Sequence, residues 1–191
     1  DADLSEWDLT RKQYTRILQT TPQPTYWSDE EAMPLYMMWD HKGYYIAAVV
    51  RNDEINVVPN AGQFWVGDCI EIWMATSNKR GPFMTYLEAG QMWLFPNGNK
   101  ANPEIIGGIG HGRLKGNGMR FTKESAGIQY ASKNINGGYQ IEIFIPQGIL
   151  HGPKFEAGKY LGFQIAFNSV SKAIGAAWAL RVHHSWERPD T

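Results

Sequence analysis

The segment Gly138–Pro146 reads GYQIEIFIP, and its residues alternate between two faces. One face carries Tyr139, Ile141, Ile143 and Ile145, and the other carries Gln140, Glu142 and Phe144. Alternation with a period of two is the pattern of a β-strand whose apolar side faces a core. Asn136 and Gly137 supply a turn before the segment, and Pro146, which cannot donate to a sheet ladder, ends it. The chain is therefore built on half-buried strands.

Strand-like runs of the same kind occur on both sides of this segment. They are Leu35–Asp40, Tyr44–Arg51, Asp68–Ala75, Pro82–Leu87, Gln91–Phe95, Gly127–Lys133, Leu161–Asn168 and Gly175–Val182. About nine strands at this spacing predict an all-β chain folded as a two-sheet β-sandwich of jelly-roll or immunoglobulin-like type. No linker or repeat divides the sequence, so residues 1–191 are expected to form a single domain.

Three segments lack the strand pattern. Leu9–Leu18 is the one fair candidate for a helix, although it is short and polar, and Glu30–Met33 could add a turn. The stretch Asn102–Gly118 is rich in glycine and is expected to be irregular.

Composition and charge exclude several classes of partner. The 191 residues are 43% hydrophobic and 19% charged, which is a globular composition. A formal net charge of −1 gives no general attraction to nucleic acid or to an anionic membrane surface. No apolar run reaches the roughly 18 residues that a membrane helix needs. Neutral ligands, among them glycans, fit this charge well.

The single cysteine, Cys69, lies in a strand-like run, so no disulfide can form within the chain. The sequence starts at Asp1 without a Met or an apolar leader, as a mature or excised module would. Aromatic residues reach 13% and include 8 Trp. Trp is seldom fully buried, and its flat apolar face suits ligand stacking.

Several motifs together resemble the family 9 carbohydrate-binding modules. The resemblance rests on Trp65-Val66-Gly67-Asp68-Cys69-Ile70-Glu71-Ile72-Trp73, on Gly138-Tyr139-Gln140-Ile141-Glu142-Ile143 with Ile145-Pro146, and on Leu161-Gly162-Phe163-Gln164-Ile165. It is extended by Asp3-Leu4-Ser5-Glu6-Trp7, by Met38-Trp39-Asp40 followed by Tyr44-Tyr45-Ile46-Ala47, and by Trp186-Glu187-Arg188-Pro189-Asp190. Each motif alone is weak, but their order and spacing are fairly specific to the family.

The resemblance implies a jelly-roll sandwich that binds glucan or xylan chains, often at their ends, without catalysing a reaction. Two tryptophans of such modules hold a sugar ring between them in what we call the sugar slot, and matching assigns these roles to Trp65 and Trp186. Glu71 and Gln164 match polar contacts of the slot, and His183 stands where the family can have an amide.

One departure concerns the strand-like run around Trp93, from which the family can present an arginine. This chain has none there, and Arg181, which alternates with His183, is the candidate to replace it. Trp93 itself has two open interpretations, a core position or a wall of the slot.

The resemblance also implies a structural calcium ion, for which Asp1, Asp3, Asp53 and Asp68 offer oxygen ligands of the hard kind that calcium prefers. It further implies a secreted or cell-surface location and attachment to a larger glycoside hydrolase. A monomer is the expected state. His183 and His184 are adjacent on a predicted strand and point to opposite faces, which argues against a joint metal site.

Purely structural roles for the tryptophans and two other functions remain open at this point. Trp65 and Trp186 could pack at the edge of the sandwich, and Trp39, Trp73 and Trp178 are expected to be core or half-buried. Glu71 and Glu142 could be the acid and base of a glycoside hydrolase. Related sandwiches include haem b electron-transfer domains, which would need Met or His ligands.

Overall fold

The computed structural model describes residues 1–11, 13–14, 18–19, 34–52, 54–56, 68–75, 89–94, 96, 105–109, 119–122, 127–149, 156–159, 161–169 and 174–178. Within these ranges the chain forms twelve β-strands and two short 3₁₀ turns, Leu4–Glu6 and Leu9–Arg11. The strands are β1 Gln13–Tyr14, β2 Leu18–Gln19, β3 Pro34–Trp39, β4 Gly43–Arg51, β5 Cys69–Ala75, β6 Ala89–Leu94, β7 Ile105–Ile109, β8 Met119–Thr122, β9 Gln129–Ile135, β10 Gly138–Pro146, β11 Gly162–Ser169 and β12 Ile174–Trp178.

The strands form two antiparallel sheets, which confirms the all-β sandwich predicted from the sequence. The five-stranded sheet has the order β1-β3-β4-β10-β9, and the seven-stranded sheet has the order β2-β12-β11-β5-β6-β7-β8. Both sheets contribute to one hydrophobic core. Its members are Leu35, Ile46, Ala48, Val50, Ile70, Ile72, Met74, Met92, Leu94, Ile128, Tyr139, Ile141, Ile143, Ile145 and Ile165.

The alternation of β10 determines which of its faces is buried. Tyr139, Ile141 and Ile145 are fully buried, and Ile143 is nearly so, because all four point between the sheets. The intervening residues of β10 are only half-buried. Burying such apolar side chains stabilises the fold by roughly 1.5–3 kcal/mol each before the entropy of ordering is counted.

Gly138 is required where β10 leaves the turn from β9. Its φ is +155°, and a Cβ built there would lie 1.9 Å from the carbonyl oxygen of Val50 on β4. The preceding Gly137, with φ of +72°, occupies the left-handed region that the turn needs. The predicted Asn136–Gly138 turn is therefore confirmed, and its second glycine also allows β4 and β10 to approach each other.

A segment near the amino terminus packs on the outer face of the five-stranded sheet. Leu4 and Trp7 form a second apolar cluster with Tyr36 and Ala47. The Trp7 and Tyr36 rings have centroids 6.5 Å apart and are tilted by 54°. The Trp7 indole N–H also donates to Glu142 Oε1 at 2.9 Å. This outer face is thus partly covered by the chain itself.

Two sequence predictions about local structure are wrong. The expected helix over Leu9–Leu18 is replaced by the 3₁₀ turn Leu9–Arg11 and by the short strands β1 and β2, which add to the edges of different sheets. The Gly-rich stretch Asn102–Gly118 contains β7, whose ladder runs between β6 and β8. In both cases pairing with distant strands overrides the weak local preference. The predicted turn Glu30–Met33 and strand Pro82–Leu87 lie outside the described residues.

Candidate functional site

Strand β5 carries four buried residues on the face that does not meet the core, and two of them, Glu71 and Trp73, have polar groups. Ile70, Ile72 and Met74 point into the core cluster, whereas Glu71 and Trp73 alternate with them and lie outside both apolar clusters that the described residues form. Even so, Glu71 is only 7% exposed and Trp73 only 3% exposed. A carboxylate is rarely buried unless it serves as a polar partner. The outer face of the seven-stranded sheet is therefore covered at β5, and it carries a buried carboxylate there.

The register of the sheet brings three of the predicted site positions together. Glu71 lies opposite Trp93 of β6, and Trp73 lies opposite Gln164 of β11. Directly opposed residues of an antiparallel pair share a face of the sheet, with Cα atoms about 4.5–5.5 Å apart. The backbone positions of Glu71, Trp93 and Gln164 therefore lie on the same outer face, although they are far apart in the sequence.

Trp73, which the sequence analysis expected to be core or half-buried, is buried on this outer face beside Glu71. Its indole Nε1–H is buried, and the described part of the chain provides no hydrogen-bond acceptor for it. Unpaired buried donors are uncommon and costly, by about 1–3 kcal/mol. The period-two pattern of β5 places Trp73 on the same face as Glu71, so this position could have been inferred from the sequence. Trp39, in contrast, is 47% exposed on β3 rather than part of the core.

The remaining predicted site residues, Trp65, Arg181, His183 and Trp186, lie outside the described residues, so their roles stay predictions.

The two acids considered for hydrolysis belong to different sheets. Glu71 lies on β5 of the seven-stranded sheet, and Glu142 lies on β10 of the five-stranded sheet. Both alternate with core residues, so they occupy the two opposite outer faces of the sandwich. A glycosidase acid pair needs carboxyl groups about 5–9.5 Å apart. Packed sheets alone are separated by about 10 Å, so these two residues do not form such a pair.

Of the methionines considered as haem ligands, Met74 and Met92 are each 1% exposed in the hydrophobic core. Of the histidines, His41 lies in the exposed turn between β3 and β4. None of these three residues lies on the outer face of β5 that carries Glu71.

Three carboxylates meet where the amino-terminal segment docks on β10. Oxygen atoms of Asp1, Glu6 and Glu142 all lie within 4.8 Å of one another. Glu142 accepts from Trp7, and its Oε2 lies 3.6 Å from the amino group of Asp1. Oxygen donors of this type suit calcium chemically, but Glu142 is already engaged by these partners. The sequence pointed to Asp1 but not to Glu6 or Glu142, because docking of distant segments cannot be read from spacing.

The other predicted calcium ligands have different surroundings. Asp3 accepts from the backbone N–H of Ser5 at 3.1 Å as the cap of the first 3₁₀ turn. This hydrogen bond is the main reason why the pKa of Asp3 lies below its usual value. Asp68 Oδ2 accepts from two N–H donors, and such an oxygen is poorly placed to bind a cation as well. Asp53 lies outside the described residues. Calcium therefore stays a prediction.

No helix in the described ranges is both long and apolar enough to cross a membrane.

Comparison with known proteins addresses the family and the fold. Residues 6–188 match the model of the family described as "Carbohydrate family 9 binding domain-like". A search of curated proteins finds no match.

Solved structures also resemble this chain. Two are of a carbohydrate-binding module family 9 from Caldicellulosiruptor kristjanssonii, one in complex with glucose and one in complex with cellotriose. The first is 14% identical with a TM-score of 0.67, and 100% of this chain and 85% of that chain are covered. The second is 15% identical with a TM-score of 0.66, at 100% and 84% coverage. A putative carbohydrate-binding protein from Bacteroides uniformis is 13% identical with a TM-score of 0.56, at 87% and 77% coverage. At these identities the structures support the sandwich fold alone.

Proposed function

The chain belongs to the carbohydrate family 9 binding domain-like family, and from this premise we propose that it is a non-catalytic module that binds glucan or xylan chains. Trp65 and Trp186 form the two walls of its sugar slot, and Glu71 and Gln164 bind sugar hydroxyls. Trp93, Arg181 and His183 complete the lining. The related modules from Caldicellulosiruptor kristjanssonii were solved with glucose and cellotriose, which supports a glucan as the first ligand to test.

The observation that carries this proposal is the buried Glu71 on the covered outer face of the seven-stranded sheet. It is 7% exposed, lies outside the core, and shares its face with the positions of Trp93 and Gln164. A pyranose has a rim of hydroxyl groups that a carboxylate and an amide can bind, and charge-assisted hydrogen bonds of this kind are the stronger ones. The buried N–H of Trp73 adds a donor to the same face.

The two tryptophans would supply most of the affinity. A pyranose also has a flat C–H face, which an indole ring covers with apolar area. Stacking of nucleic acid bases on aromatic rings contributes roughly 1–3 kcal/mol per base and serves as an analogue. Two such contacts and a few net hydrogen bonds of about 1 kcal/mol each lead to micromolar affinity after the cost of association.

The test is a titration with cellobiose, xylobiose and glucose followed by Trp fluorescence. Wild type and the variants Trp65→Ala and Trp186→Ala would be compared after each is shown to fold. Trp39→Ala is a matched control, because Trp39 is an exposed tryptophan on β3 of the other sheet. We expect a saturable change in wild type and Trp39→Ala that is lost in both slot variants. A flat response of wild type to all three sugars would reject the glucan and xylan assignment.

The setting of the module is part of the same proposal. We expect it to act outside the cell or at its surface, attached to a glycoside hydrolase, and to be a monomer. The net charge of −1 fits a neutral ligand, with no role for nucleic acid or membrane. Sedimentation with and without cellobiose would test the monomer, and a reducing-sugar assay on the module alone would test the absence of catalysis.

A further inference from the structure

A pair of reciprocal hydrogen bonds joins the two ends of the segment 57–67. The backbone N–H of Asn56 donates to Asp68 Oδ2 at 2.5 Å, and the backbone N–H of Asp68 donates to the carbonyl oxygen of Asn56 at 2.7 Å. The residues just before and just after this segment are therefore held directly against each other.

Asn52 ties this pair to the rest of the fold. Its side-chain amide donates to Asp68 Oδ2 at 3.1 Å, and its backbone N–H donates to the carbonyl oxygen of Gly137 at 3.0 Å. Gly137 belongs to the turn between β9 and β10, and Asp68 directly precedes β5. We call Asn52, Asn56 and Asp68 the neck. The neck connects the β9–β10 turn of the five-stranded sheet to the start of β5, the strand that carries Glu71.

The neck is buried to a degree unusual for polar groups. Asp68 is 0% exposed and Asn52 is 2% exposed. A buried carboxylate is stable only while its hydrogen-bond donors stay in place, and loss of one partner leaves a costly unpaired charge. Because Asp68 is shielded from water, its hydrogen bonds are stronger than they would be at the surface.

We propose that Asp68 is a positioning residue of the sugar slot, which fixes through Asn52 and Asn56 both ends of the segment that carries Trp65. The inference rests on the proposed function, because it assigns Trp65 to the slot. Trp65 is three residues before Asp68 in the sequence, so its placement depends on where Asp68 is held. Stacking on a sugar ring is strongest when the aromatic group is already in place, since ordering it during binding reduces affinity.

The main variant is Asp68→Ala, which removes the acceptor of two hydrogen bonds, and Asp68→Asn is the conservative variant whose amide oxygen can accept both. Asn52→Ala removes one donor and serves if Asp68→Ala does not fold. Asn134→Ala is the matched control, because Asn134 is an exposed asparagine on β9 outside the neck. Folding is checked for each by circular dichroism and urea unfolding.

Two measurements separate positioning from a general loss of stability. The first is the affinity for cellobiose, which we expect to fall about tenfold in Asp68→Ala, to fall less in Asn52→Ala, and to be largely restored in Asp68→Asn. The second is chymotrypsin cleavage after Phe64 or Trp65, the two aromatic residues of segment 57–67. Cleavage there should become faster in Asp68→Ala than in Asn134→Ala under conditions where both are folded.

The outcomes distinguish this inference from the proposed function. If wild type binds cellobiose and Trp65→Ala does not, but folded Asp68→Ala or Asn52→Ala binds as wild type does, the neck has no positioning role. If wild type does not bind cellobiose, or Trp65→Ala binds it normally, the sugar slot itself is misassigned and the inference is rejected with it. The expected order of affinities together with faster cleavage supports the inference.

Discussion

The hydroxyl group of Tyr139 provides the sharpest test of the energetics of this fold. Tyr139 is fully buried in the core, and its hydroxyl has no hydrogen-bond partner in the described part of the structure. A buried hydroxyl without a partner costs about 1–3 kcal/mol. Phenylalanine keeps the ring and removes only the oxygen, so we expect Tyr139→Phe to increase the free energy of unfolding by about 2 kcal/mol.

For a chain of this length, that change corresponds to a rise in melting temperature of about 4–8 °C. The measurement is urea and thermal unfolding followed by circular dichroism. Trp7→Phe is the control, because it also removes one polar group from an aromatic ring, but from a hydrogen bond that is made, to Glu142 at 2.9 Å. Trp7→Phe should lower the free energy of unfolding by about 1–3 kcal/mol, so the two substitutions should change stability in opposite directions.

The pH dependence of stability provides a second, independent test of the buried hydroxyl. Burial raises the pKa of Tyr139 well above the ordinary value of 10.0. At a pH between the pKa that Tyr139 has in the unfolded chain and its higher pKa in the folded protein, the unfolded chain binds fewer protons. The contribution of the neutral Tyr139 to the free energy of unfolding is therefore complete below about pH 10 and is lost as the pH rises above it. Tyr139→Phe should therefore weaken the fall in stability above about pH 10. A destabilised Tyr139→Phe with an unchanged alkaline profile would refute this reasoning and show that the hydroxyl has a partner.

Three further predictions concern the backbone, the site and the predicted calcium ion. Gly138→Ala should lose about 3 kcal/mol or more in urea unfolding, because its Cβ would lie 1.9 Å from the Val50 carbonyl oxygen. Gly148→Ala, with a positive φ but open space, should lose only about 1 kcal/mol. Glu71→Gln should weaken cellobiose binding about tenfold in calorimetry, because a neutral acceptor replaces a charged one. Glu142→Gln on the other sheet should leave the affinity unchanged. Equal effects of the two substitutions would contradict the assignment of Glu71 to the sugar slot. The predicted structural calcium would make a chelator lower the melting temperature and added calcium restore it, and an unchanged melting temperature would argue against such an ion.

The sequence was sufficient for the strands that have one face in the core. The alternation around Ile141 on β10 and around Ile72 on β5 predicted both the strands and their buried faces, because burial of every second side chain leaves a local pattern. Strand β7 left no such pattern. Its residues Gly107 and Gly108 have low strand preference, and the segment is a strand because β6 and β8 pair with it.

The candidate site was predictable only in part. The alternation of β5 placed Glu71 away from the core, but it did not predict that Glu71 would be only 7% exposed, because a period-two pattern does not show whether the outer face of a sheet is covered. The adjacency of Trp93 to Glu71 follows from the β5–β6 register, which no single-sequence pattern encodes. The neck could not be predicted from the sequence for the same reason, because the contact between Asn52 and Asp68 forms only when folding brings the two residues together.

The pairing of β2 with β12 has a consequence for how the protein is made. Leu18 lies opposite Ala177, and Trp7 donates a hydrogen bond to Glu142, 135 positions away, so one edge of the seven-stranded sheet and the outer face of the five-stranded sheet depend on contacts between early and late parts of the chain. Such distant contacts slow folding to milliseconds or seconds. On the ribosome, at roughly 5–20 residues per second, the early strand waits many seconds for its late partner and remains open to pairing with other chains. Chaperone demand during synthesis should therefore be greatest just before β12 emerges.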